Sequence, residues 1–112
     1  MIVGLGVDVV SIERIRSAME NPRFLERILT ERERAMGLTV ERVAGRWAAK
    51  EAMSKALPAL RNWHHVEIDN GPGGEPFIVL LKPLFLEPGV SLHVSISHES
   101  GYAAAVAIVE KS

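Results

Sequence analysis

The sequence predicts an α+β domain: helices packed on one face of a mainly antiparallel sheet, with one long central helix. Three observations predict it. The chain opens on a β-branched apolar run, Ile2 to Val10. The next stretch, to residue 57, carries helix caps and helical spacing. Residues 66–109 then alternate apolar and polar, interrupted by glycine and proline. One strand, several helices and four strands, in that order, make an α+β arrangement.

Residues 2–10 read as a buried strand. Gly4 and Gly6 remove side chains from one face and let a neighbour come close. Asp8 breaks the run and is buried if the strand is. Ser11 is the N-cap of a helix running to about Met19, and Glu13 in its first turn suits the helix dipole. Asn21-Pro22 stops that helix, and a second spans Arg23 to Ile28. Thr30 and Glu33 have capping-box spacing and open a third, which Gly37 ends. Thr39 to Leu57 is the long helix, stopped by Pro58.

After Asn62 the period changes. Val66–Asn70 alternates as a strand, residues 71–76 are a dense turn signal, and Phe77–Leu81 returns. Lys82-Pro83-Leu84-Phe85-Leu86 reads as a short helix with proline at its first position. In Ser91–Ser97, Leu92, Val94 and Ile96 face one way and His93, Ser95 and Ser97 the other. His98–Gly101 is a turn, and Tyr102–Val109 completes a hairpin.

Composition bounds the function. With 112 residues, 47% of them apolar, the chain has the size of a single domain, 1–112, with a real core. A net charge of −1 and a pI near 6.4 argue against a nucleic-acid partner. Without cysteine there are no disulfides or thiolate metal sites. No apolar run reaches the ~20 residues of a membrane span. Met1-Ile2-Val3-Gly4 lacks the positive region of a signal peptide, so a cytoplasmic location is the default expectation.

The long helix carries the densest chemistry. Ala48, Ala49, Ala52 and Ala56 share a stripe that lets another element approach closely, with Glu51 at its margin and Trp47 and Lys55 one turn away on either side. A carboxylate in that position needs a partner. Glu51 and Lys55 form an i,i+4 pair that on an exposed helix contributes only about 0.2–0.5 kcal/mol. Arg46 and Lys50 share a face, and two like charges there call for an anion between them. Asp8 is either a helix cap or arginine partner, or a ligand for a divalent cation such as Mg²⁺, which takes one or two carboxylates. Ser97 and His98 at a strand end are adjacent and poorly placed for a hydrolase triad, and no Gly-x-Ser-x-Gly elbow exists. They suit donation to phosphate at the mouth of a cleft. Gly4-x-Gly6 lacks the third glycine of a dinucleotide fingerprint and reads as packing. His64 and His65 point to opposite faces, which speaks against a two-histidine metal site. Trp47 reads as core or groove wall. The residues alone stop at a soluble α+β domain with a possible metal site; the rivals to what the resemblance below implies are another Mg²⁺-dependent enzyme acting on a nucleotide diphosphate, and a non-catalytic oligomeric module.

Taken together, four segments resemble one family. They are Gly4-Leu5-Gly6-Val7-Asp8-Val9-Val10 with Glu13-Arg14-Ile15; Arg23-Phe24-Leu25-Glu26-Arg27-Ile28-Leu29-Thr30; Arg46-Trp47-Ala48-Ala49-Lys50-Glu51-Ala52-Met53-Ser54-Lys55-Ala56-Leu57; and Val94-Ser95-Ile96-Ser97-His98-Glu99. The chain resembles the holo-[acyl-carrier-protein] synthases, the small 4′-phosphopantetheinyl transferases, over nearly its whole length. Trp47 stands where that family more often has phenylalanine, and Pro58-Ala59-Leu60 replaces a glycine-rich segment.

The resemblance implies a 4′-phosphopantetheinyl transferase fold and a reaction supporting fatty acid biosynthesis. The phosphopantetheine arm of coenzyme A moves to a serine of apo acyl carrier protein, releasing adenosine 3′,5′-bisphosphate. Asp8 and Glu51 are then expected to hold Mg²⁺, and Lys55 to meet charge developing on the diphosphate. Arg46, Lys50, Ser97 and His98 are expected at the phosphates of coenzyme A. Glu51 is the first choice of base, with Lys55 and His98 beside it as catalytic residues. Arg14, Arg16 and Arg23 are candidates for docking an acidic carrier. A homotrimer with sites at subunit interfaces is also implied.

Overall fold

The computed structural model describes residues 1–81 and 87–112. The short helix expected over 82–86 lies outside the described residues. The order is β1 (Ile2–Ser11), α1 (Ile12–Ala18), α2 (Pro22–Ile28), α3 (Glu31–Ala35), α4 (Val40–Ala56), a 3₁₀ turn (Trp63–His65), β2 (Val66–Asn70), β3 (Pro76–Leu80), β4 (Val90–Glu99) and β5 (Tyr102–Lys111). The strands form two antiparallel sheets rather than one: β1-β5-β4 and a β2-β3 hairpin.

The predicted caps form. The Ser11 side chain accepts from the Arg14 N–H and starts α1, and Asn21 does the same for α2 through Arg23 N–H. Such a cap contributes about 1 kcal/mol. Thr30 and Glu33 make the reciprocal capping box of α3. Gly37, at φ +65°, follows α3 in a conformation other residues adopt at a cost. Thr39 caps α4, and the helix ends at Ala56, before Pro58.

Helix α4 organises the molecule. Ala48, Ala49 and Ala52 are fully buried, and Ala56 is nearly so. This stripe lies on the inner face of the large sheet. A Cβ at Gly6 would collide with the carbonyl oxygen of Ala52, and one at Gly4 with that of Ala56. Glycine on the strand and alanine on the helix together bring the two backbones into contact. The opposite side of α4 receives α2, the 3₁₀ turn and β2, through hydrogen bonds from Lys50 and Arg46 to the carbonyls of Ile28, Trp63 and Ile68.

Strand β1 is not buried on both faces. Gly4, Gly6, Asp8 and Val10 face α4, but Val3, Leu5, Val7 and Val9 are 52–64% exposed. The register places Leu5 beside Ile108, and Val7 beside Val106. An apolar stripe of this kind, on the open face of a sheet, marks an interaction surface. Strand β4 alternates as expected, with Leu92, Val94 and Ile96 packed inward and Ser91, His93, Ser95 and Ser97 exposed. Among the described residues, no helix is long and apolar enough to cross a membrane.

Candidate active site

Two flanks of α4 carry the charged groups. On the β1 flank, Asp8 projects from the inner face of the strand, with its side chain 17% exposed. The Lys55 Nζ donates to Asp8 Oδ1 at 3.2 Å and to the Val7 carbonyl at 3.0 Å. Lys55 thus answers Asp8, rather than only pairing along the helix with Glu51. Glu51 lies beside them, half-buried. Burial pushes its pKa above the ordinary glutamate value, the negative charge of Asp8 pushes the same way, and Lys55 partly offsets both. Asp8 is thus near enough for its charge to act on Glu51.

Trp47, one turn before Glu51, stacks on Phe24 with ring centroids 5.5 Å apart and meets the edge of Trp63 at 4.8 Å. The three rings, with Arg27, Arg61, Asn62 and Glu51, line a groove. Trp47 is a groove wall, as its position suggested.

On the β4 flank, Arg46 and His98 line a cavity of about 160 Å³ with Glu41, Arg42, Asn70, Gly74, Pro76 and Ile96. Arg46 is buried, and its Nη2 donates to the Ile68 carbonyl and to Asn70 Oδ1, each at 3.1 Å. Ser97 does not join this cavity. It is exposed and falls between Ile96 and His98, and alternation turns it to the opposite face of β4.

Lys50 is a correction to the expected phosphate contacts. It is fully buried, and its Nζ donates to Glu33 Oε1 at 2.6 Å, to the Ile28 carbonyl at 2.9 Å and to the Trp63 carbonyl at 3.1 Å. Three acceptors use all the donors of an ammonium. The anion that the Arg46–Lys50 pair requires is therefore the chain's own Glu33, whose Oε2 also lies 3.9 Å from Arg46 Nε. The sequence shows Glu33 as a capping residue, and it is that: its Oε1 accepts from the Thr30 N–H. Its second task, accepting from Lys50 and from the Ile68 N–H at 3.0 Å, carries no local signal.

Arg14, Arg16 and Arg23 are exposed at the starts and sides of α1 and α2. Arg16 pairs with Glu13 at 3.1 Å and borders a second hollow beside His98 and the β4–β5 turn. Sequence reasoning missed Arg27 and Arg61, which stand in the aromatic groove next to Glu51.

The two flanks do not meet within one chain. Asp8 and Ile96 both pair with Ala105, and Val10 and His98 both pair with Ala103. The outer strands are thus two strand spacings apart, about 9–10 Å, and α4 packs across the sheet, mainly on β1 and β5. Among the described residues, no group of three or more His, Cys, Asp or Glu side chains forms a metal cage. A pair of carboxylates is what Mg²⁺ uses when phosphate and water complete its shell, so Asp8 and Glu51 fit such an ion.

Comparison with known proteins supplies the remaining context. The profile of the 4′-phosphopantetheinyl transferase superfamily matches residues 4–107. Holo-[acyl-carrier-protein] synthase of Anoxybacillus flavithermus is 43% identical, covering 99% of this chain and 98% of its own. That of Beutenbergia cavernae is 39% identical over 99% of this chain and 100% of its own. A crystal structure of the Bacillus anthracis synthase in complex with CoA (3′,5′-ADP) superposes with a TM-score of 0.85 at 38% identity, covering 100% of this chain and 99% of that one. The Helicobacter pylori synthase in complex with coenzyme A gives 0.82 at 36% identity, over 95% and 99%.

Proposed function

The chain belongs to the 4′-phosphopantetheinyl transferase superfamily, among the holo-[acyl-carrier-protein] synthases, and we propose that it loads apo acyl carrier protein from coenzyme A in support of fatty acid synthesis. A serine Oγ of the carrier attacks the phosphorus that bears the pantetheine arm. The bond from that phosphorus to the bridging oxygen breaks, and adenosine 3′,5′-bisphosphate leaves. The observation that carries this reading is the convergence of Asp8, Glu51 and Lys55 beside α4.

Phosphoryl transfer asks mainly for positioning and charge neutralisation. Asp8 and Glu51 would hold Mg²⁺, which when bound supplies positive charge against the diphosphate. Lys55, half-exposed and already poised at Asp8, meets charge developing on the leaving phosphate. Glu51 accepts the proton of the carrier serine. In the metal-free chain, burial and the charge of Asp8 raise its pKa above the ordinary glutamate value. Arg46 and His98, at the mouth of the small cavity, bind phosphate oxygens of coenzyme A. Lys50 takes no part in that contact; it fixes α4. Arg14, Arg16 and Arg23 offer exposed cations to an acidic carrier, and Arg27 and Arg61 extend them toward Glu51.

The working form is a homotrimer with each site made between subunits, acting in the cytoplasm. Two features support the assembly: the uncovered apolar face of β1, and the separation of Asp8, Glu51 and Lys55 from Arg46 and His98 by the width of α4. The test is direct. Incubation with coenzyme A, Mg²⁺ and apo carrier should raise the carrier mass by one phosphopantetheine group. Hydrolysis of coenzyme A with no gain on the carrier would refute the transferase reading.

A further inference from the structure

Asn70, the last residue of β2, joins two walls of the Arg46–His98 cavity. Its Oδ1 accepts from Arg46 Nη2 at 3.1 Å, and its Nδ2 donates to the Gly74 carbonyl at 2.9 Å. Arg46 has few other restraints. Its Nε is buried and, among the described residues, has no hydrogen-bond partner. Glu33 Oε2 is 3.9 Å from that Nε and accepts instead from the Ile68 N–H. Glu33 supplies charge to the guanidinium but does not orient it. Direction comes from Nη2, held by the Ile68 carbonyl and the Asn70 amide oxygen, with a longer contact to Met36 Sδ at 3.9 Å.

The other end of the amide fixes the glycine-rich turn. Gly74 takes φ +87°, its N–H closes on the Gly71 carbonyl at 2.9 Å, and Gly74 and Pro76 both face the cavity. We infer that Asn70 is a positioning residue for coenzyme A: it aims Arg46 into the cavity and clamps the 71–74 turn to it. Only an amide meets both demands. A carboxylate at 70 accepts from Arg46 but gives nothing to Gly74, and it cancels the charge offered to phosphate. This rests on the proposal that Arg46 contacts a coenzyme A phosphate.

The test is a double-mutant cycle on the full chain, with coenzyme A binding read by calorimetry. Asn70→Ala should weaken binding about tenfold or more, the scale of one lost hydrogen bond to a charged group. Asn70→Asp should weaken it further. In an Arg46→Met background, Asn70→Ala should change affinity less than about twofold, because its target is gone. Arg46→Lys serves as the background if Arg46→Met folds or binds too poorly to measure. A residue that only supports the turn would lower affinity by the same factor in both backgrounds. That result, or an Asn70→Ala protein that binds coenzyme A like the parent, overturns the inference. A parent that binds coenzyme A but fails to load a carrier refutes the transferase reading and leaves the cycle interpretable. A parent that binds no coenzyme A overturns both.

Discussion

Replacing Lys50 with methionine distinguishes a structural lysine from a substrate contact. Methionine keeps the stem length and removes the ammonium. It strands Glu33, which is fully buried and balanced by Lys50 at 2.6 Å and by Arg46 only at 3.9 Å. It also frees the carbonyls of Ile28 and Trp63. Removing one member of a buried ion pair costs about 3–5 kcal/mol, because the remaining charge stays desolvated. Against a total stability of about 5–15 kcal/mol, that is a large fraction. At about 4 °C per kcal/mol for a domain of this size, melting should fall by about 12–20 °C. Calorimetric melts at one fixed protein concentration check this, since the proposed assembly would make the midpoint depend on concentration. Glu33→Gln should lower melting by a comparable amount, because it leaves the buried Lys50 ammonium without its counter-ion and one amide oxygen cannot replace both carboxylate acceptors. Should Lys50→Met melt within about 3 °C of the parent while coenzyme A affinity drops tenfold or more, Lys50 would be a phosphate ligand after all.

Three further outcomes follow from the site. Glu51→Gln should lose most turnover with the fold intact. Because the folded protein holds Glu51 protonated above its ordinary pKa, the stability due to the neutral acid is present at low pH and lost as pH rises through the raised value. Glu51→Gln should therefore melt no lower than the parent at pH 8 in the absence of divalent metal, and a marked fall would show that the ionised side chain is structural. Carrier affinity should fall with added salt, and charge reversal at Arg14, Arg16 or Arg23 should flatten that dependence, so equal slopes for parent and variants would remove those arginines from docking. Finally, mixing Asp8→Asn subunits with His98→Ala subunits, after dissociation and reassembly, should recover part of the activity that each lacks, and no recovery would place a whole site within one chain.

The local structure was legible in the sequence because its signals are local. Ser11, Asn21, Thr30 and Thr39 each cap the helix they precede, and Gly4 and Gly6 meet the alanine stripe as small residues should. The hairpin alternation of β4 and β5 follows the period-2 rule. What failed depends on tertiary partners. Lys50 sits in a charged motif and looks like a ligand, but a carboxylate 17 residues away claims it. Strand β1 is apolar at nearly every position, which periodicity reads as burial on both faces, yet within one chain only one face is covered. Ser97 and His98 are neighbours in sequence and opposite in direction, so a motif spanning both cannot deliver both to one cavity. Asn70, beside a turn marked only by its glycines and prolines, had no sequence mark of its own.

Why the site should be divided follows from the packing of α4. Small residues at 4, 6, 48, 52 and 56 let the helix lie directly on the sheet. No room remains between them for a ligand. Functional side chains must leave α4 along its flanks: Glu51 and Lys55 toward β1, and Arg46 toward the cavity that His98 of β4 also lines. The helix that makes the core tight therefore also separates the acids from Arg46 and His98, the cations proposed to bind phosphate. The uncovered apolar face of β1 and β5 supplies the means to bridge them, since a copy seated there can bring its own β4 flank to the Asp8–Glu51 pair. On this argument the open face and the split site are one feature, and a substitution such as Leu5→Lys, which contacts no substrate, should abolish both assembly and transfer.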